Sequence, residues 1–199
     1  MTNFLNFLPF VYFVITAGLI LGFAKIKQLI KPAVILILFL KIAELILKLS
    51  GQYSAFKNNP ISQFLLPPYQ RITGFFFHYV DYRFIWPIFF SILVGFLFFL
   101  AVKLLNRFSG GRFFEEEETW MIFYSIIFVG HPLWIVYIFA IVVMGISWYL
   151  IQLIFKKIKF GERLPLYYLW LPLAILTFFF QGGQLQIPLL TEFLNNIKF

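Results

Sequence analysis

Apolar residues run along this chain in long, nearly unbroken stretches, without the strict alternation of a half-buried strand. A membrane-crossing helix needs about 20 apolar residues at 1.5 Å rise each. Six stretches approach that length: residues 4–24, 29–49, 84–105, 115–129, 132–155 and 164–180. Gly130-His131-Pro132 divides the fourth from the fifth, which would otherwise form one run too long for a single span. Between the second and third lies GQYSAFKNNPISQFLLPPYQR, whose prolines and paired asparagines predict a loop or a re-entrant piece. ITGFFFHYVDYR follows, aromatic and partly charged, and suits an interfacial helix over residues 72–83. The tail after Gln181 is mildly amphipathic and suits the membrane surface. The pattern predicts an all-α integral membrane protein, a bundle of about six transmembrane helices forming one multi-pass domain over residues 1–199.

Composition agrees. The chain is 62% hydrophobic and only 12% charged, about half the charged share of a soluble domain. With no cysteine, disulfides, thiol chemistry and cysteine-ligated metals are excluded. The first basic residue, Lys25, follows the first apolar run, so that run reads as a retained span and not as a cleaved signal. Ten of the sixteen basic residues fall in three alternate connections: Lys25 to Lys31, Lys103 to Arg112 and Lys156 to Arg163. The bias of basic residues towards the cytoplasm places these connections inside and both termini outside, in a cell-membrane protein. Anionic lipid headgroups account for the net charge of +8. The lipid bilayer is the expected partner, and no nucleic acid is required.

Half of the eight acids stand together as Glu115, Glu116, Glu117 and Glu118, at the start of the fourth stretch. Carboxylates in a first helical turn face free N–H groups and the positive end of the helix dipole. The surrounding GGRFFEEEETWMIFYSIIFVGHP also resembles the second motif region of the prepilin peptidases, the GxGD-type membrane aspartic peptidases. Gly110, Gly111 and Arg112 take the glycine-rich lead-in. Glu118 falls at the family's second catalytic aspartate, and Gly130 and Pro132 at its helix-ending glycine and proline. KIKFGERLPLYYLWLPLAI is similar to the linker and last helix, and the resemblance covers residues 49–180.

The departures bear on function. Glu115 and Glu117 replace the GxGD glycines, and no acid stands near Tyr53 and Ser54, where the family keeps its first aspartate. Aspartic proteolysis needs two carboxylates sharing a proton. The resemblance therefore implies a catalytically degenerate relative that binds a partner membrane helix, pilin-like or another single span. The alternatives are an active membrane endopeptidase processing pilin-like precursors, and an unrelated accessory subunit of a membrane complex.

One further group merits attention. Lys41, Glu44 and Lys48 share a helical face in the second stretch, and ionisable residues inside an apolar helix point to function unless they pair with one another. Two outcomes are open: a structural row, or part of an ion or proton path. His131 is not expected to join the glutamates at a metal, because it lies beyond Gly130, itself about 22 Å along the helix from Glu115, and His78 is expected to cap or hydrogen-bond at the interface. Neither a metal nor a cofactor is expected.

Overall fold

The structure, a computed structural model, describes residues 2–22, 25–69, 74–110, 114–155 and 167–181. The basic residues Arg71, Arg112 and Lys156 to Arg163, and the tail after Gln181, lie outside the described residues. Six long helices stand among those described: α1 (Thr2–Leu21), α2 (Ile26–Asn58), α3 (Phe75–Phe108), α4 (Glu116–Val129), α5 (Trp134–Ile154) and α6 (Tyr167–Gln181).

The predicted boundaries change in two places. α2 does not stop at residue 49 but runs on to Asn58. The residues beyond 49 include Ala, Gln and Lys, which suit a helix, and the first firm stop is Pro60, which pushes Asn59 into extended backbone (φ −97, ψ 124). The Asn59 side chain then accepts from the N–H groups of Ile61 and Ser62, at 2.9 and 3.1 Å, and turns the chain. The separate interfacial helix is also corrected. Its residues from Phe75 onwards form the first turns of α3 itself. Pro87 offers no N–H to the carbonyl one turn earlier, and just before it the helix widens into a π-turn over Asp81–Ile85.

α4 is the centre of the molecule. Glu118, Thr119 and every residue from Met121 to Val129 are buried, enclosed by α2, α3 and α6 with α5 alongside. Gly95 sets the approach of α3, since a Cβ there would stand 3.0 Å from the Phe123 ring. Gly130 ends α4 at φ 77, in the left-handed region that glycine adopts without strain, and the chain turns into α5.

The expected bundle of six spans is not what the structure contains. Two described helices, Phe75–Phe108 and Trp134–Ile154, are long and apolar enough to cross a membrane. α4 extends only about 21 Å against a hydrocarbon layer of about 30 Å, and the apolar parts of α1 and α6, Phe7–Leu21 and Tyr168–Phe179, are also short. α2 has the length but interrupts its apolar run with Lys41, Glu44 and Lys48. Apolar composition alone had counted the core helix α4 as a span.

The two long helices are not the core of a water-soluble domain, because only 17% of each apolar window is buried. Phe89, Phe96 and Leu97 on α3, and Phe139, Val142 and Ile146 on α5, stay exposed. Apolar surface on that scale needs cover. A lipid-facing surface accounts for it and supports a membrane location.

Candidate functional site

The polar row on α2 closes into a cluster through a residue from α1. Glu44 is the hub. Its Oε1 stands 2.6 Å from the Lys48 Nζ, and its Oε2 accepts from the Tyr12 hydroxyl at 2.6 Å. Lys41 is 3.6 Å from Oε2, an ion pair and not a direct hydrogen bond. Its ammonium also stands 4.6 Å from the centre of the Tyr12 ring, a cation–π distance. The Lys41 and Glu44 side chains are 15% and 14% exposed, whereas Lys48 reaches out at 39%. Helical spacing produces this geometry, since residues three and four apart share a face and Glu before Lys at i+4 is the favourable order.

Beside the cluster lies a cavity of about 90 Å³. Lys41, Glu44 and Lys48 form one wall, Pro87 and Ser91 of α3 another, and the end of α4 with His131 closes it. The Ser91 hydroxyl donates to the Pro87 carbonyl at 2.7 Å, which leaves its oxygen as an acceptor. The Trp134 indole N–H donates to His131 Nδ1 at 3.3 Å. Indole can only donate, so the proton of a neutral His131 ring sits on Nε2. Partial burial lowers the affinity of this ring for a second proton. The cavity wall therefore carries two ammonium groups, one carboxylate and one imidazole, for a formal charge of +1.

The glutamate block occupies the opposite end of α4. Glu115 is the N-cap and Glu116 to Glu118 form the first turn. Glu118, 1% exposed, bends back so that its Oε2 accepts from the Glu115 backbone N–H at 2.9 Å, while the Glu115 side chain caps the third residue of the helix in return. Glu116 pairs with Lys31 at 2.9 Å and Glu117 with Lys27 at 3.6 Å, tying α4 to the start of α2. The Lys31 hydrogen bond, and then its positive charge, hold the Glu116 carboxyl below its usual range. Each glutamate thus has a structural task.

No protein family, characterised protein or solved structure matches this chain. With no match and no six-span bundle, the expected prepilin-peptidase-like fold, its GxGD-like motif and the function implied by them are withdrawn. The local resemblance has a simpler cause: an acidic capping box at one end of a helix and a glycine–proline turn at the other recur wherever a helix must be started and stopped. Among the described residues no group of three histidine, aspartate or glutamate side chains converges on a metal position.

Sequence reasoning singled out Lys41, Glu44 and Lys48, and the structure brings them together. It missed Tyr12 and Ser91, and weighed His131 only against the distant glutamates. Tyr12 lies 32 positions from Glu44, and nothing in a single sequence links them.

Proposed function

We propose that this chain is a membrane-embedded protein that binds a small monovalent anion, of halide or carboxylate size, in the cavity between α2, α3 and the end of α4. One observation carries the reading: two ammonium groups share a single carboxylate on the wall of a cavity of about 90 Å³. One anion would neutralise the site. The volume is well below the roughly 300–1,000 Å³ of pockets for drug-sized ligands. Lys41 and Lys48 supply charge, and the N–H on Nε2 of neutral His131 is available as a further donor.

A second reading rests on the carboxyl end of α4, since Val129 and Gly130 line the same cavity. Carbonyl groups at a helix end carry partial negative charge. The lysines would then answer that end, and the cavity would hold water only.

Thermal unfolding of the purified protein at constant ionic strength separates the two. Chloride and acetate fit the cavity, whereas gluconate is too large. Anion binding predicts higher stability in chloride or acetate than in gluconate, approaching about 2.7 kcal/mol at one hundred times Kd. Lys41→Met should abolish the difference, leaving Glu44 and Lys48 as a balanced pair. Glu44→Gln should lower stability in gluconate by about 3 kcal/mol, by stranding two cations, and should enlarge the gain from chloride. Equal stability of the wild type in all three salts refutes the anion site in favour of the water-filled one.

A further inference from the structure

The last turns of α3 carry a feature separate from the cavity. Leu100 and Leu104, and Lys103 and Arg107, are pairs four residues apart that share one flank of the helix. With Asn106 they line a groove of about 470 Å³. The leucines are exposed, at 38% and 52%, and so are both cations.

The neighbouring polar groups are engaged elsewhere. The Asn106 amide donates to the Phe114 carbonyl at 2.6 Å and its oxygen accepts from the Phe114 N–H at 2.8 Å. In the first turn of α4, Glu116 and Glu117 pair with Lys31 and Lys27. Among the described residues neither Lys103 nor Arg107 forms an ion pair. Two cations one turn apart therefore stand at the end of the longest apolar helix, beside an exposed leucine wall.

We infer that this groove binds an anionic phospholipid, with its phosphate between Lys103 and Arg107 and an acyl chain along Leu100 and Leu104. Guanidinium meets phosphate in a two-pronged geometry and ammonium adds a point charge. A soluble anion would satisfy the cations and leave the leucines uncovered. A zwitterionic lipid would cover the leucines without supplying net negative charge. An anionic phospholipid does both, at the depth where a span meets the headgroups.

Native mass spectrometry of the full chain, released from detergent with added phosphatidylglycerol or phosphatidylcholine, tests the site. The wild type should retain phosphatidylglycerol preferentially. Lys103→Gln/Arg107→Gln should weaken that retention at least tenfold, whereas Lys25→Gln/Lys57→Gln, with the same loss of charge elsewhere, should change it less than twofold. Leu104→Trp keeps both cations but fills the groove and should also weaken retention, so the proposal remains testable if the double variant does not fold. Equal retention of the two lipids by the wild type, or equal loss in both double variants, overturns it.

Discussion

The hydroxyl of Thr16 shows how one buried atom sets the direction of a contact. Thr16 is fully buried, and its Oγ1 donates to the Tyr12 carbonyl at 2.8 Å. Its single proton is thereby used, so the Tyr124 hydroxyl, 2.9 Å away, must be the donor between them. The two partners are then unequal. Thr16→Val would leave a buried Tyr124 O–H without this acceptor, a loss of about 1–3 kcal/mol. Tyr124→Phe removes the donor and leaves an oxygen that still donates to Tyr12, so its cost should be nearer 1 kcal/mol. Denaturation of the two single variants and the double variant checks this. The double variant should be no less stable than Thr16→Val, and a larger loss for Tyr124→Phe than for Thr16→Val would reverse the assigned direction. Direction is equally plain at Glu118, whose Oε2 accepts from the backbone N–H of its own cap residue, Glu115.

At the scale of elements, α2 and α4 run side by side in the same direction, and α2 meets α4 at both ends of the shorter helix. Lys27 and Lys31 meet Glu117 and Glu116 at one end, and the Lys41–Glu44–Lys48 cluster faces the end of α4 at the other. The first contact is exposed and responds to pH. The Glu116 carboxyl titrates below its ordinary 4.5 in the folded chain, through the hydrogen bond and charge of Lys31. Its contribution is therefore complete above about pH 4.5, the unfolded value. It is lost as pH falls through the lowered folded value. Thermal unfolding followed from pH 7 to pH 3.5 should show a steeper acid loss in the wild type than in Lys31→Gln, where the main cause of the shift is removed. Parallel profiles would show that this pair does not couple the helices. The effect should be small, as for exposed ion pairs generally, and smaller still in high salt.

For the whole molecule, the decisive contrast is between a buried short helix and exposed long ones. α4 is wrapped on all sides from Met121 to Val129, while α3 and α5 present aromatic and aliphatic side chains outward. Ile146, in the middle of α5, is 58% exposed. On a water-soluble protein Ile146→Lys would be close to neutral, as most exposed substitutions are. Facing lipid, it should cost about 2.5–3.5 kcal/mol at the centre of a span. The substitution should therefore reduce the membrane-fraction yield several-fold, while Lys25→Gln should leave the yield near that of the wild type. Unchanged yield for Ile146→Lys would contradict a lipid-facing α5.

Much of this architecture was legible in the sequence, because it follows from interactions along a single helix. Apolar runs predicted helices and a membrane setting, Gly130-His131-Pro132 predicted the turn after α4, and three- and four-residue spacing put Lys41, Glu44 and Lys48 on one face. The sequence did not reveal which apolar helices face lipid and which face protein. Both environments select the same side chains, so the length and enclosure of α4 separated a core helix from a span only once its neighbours were in place. Tertiary packing also brought Tyr12, Ser91 and His131 to the α2 row. Those contacts join α1, α3 and the α4–α5 turn to residues far away in the chain, and no local periodicity encodes such a meeting.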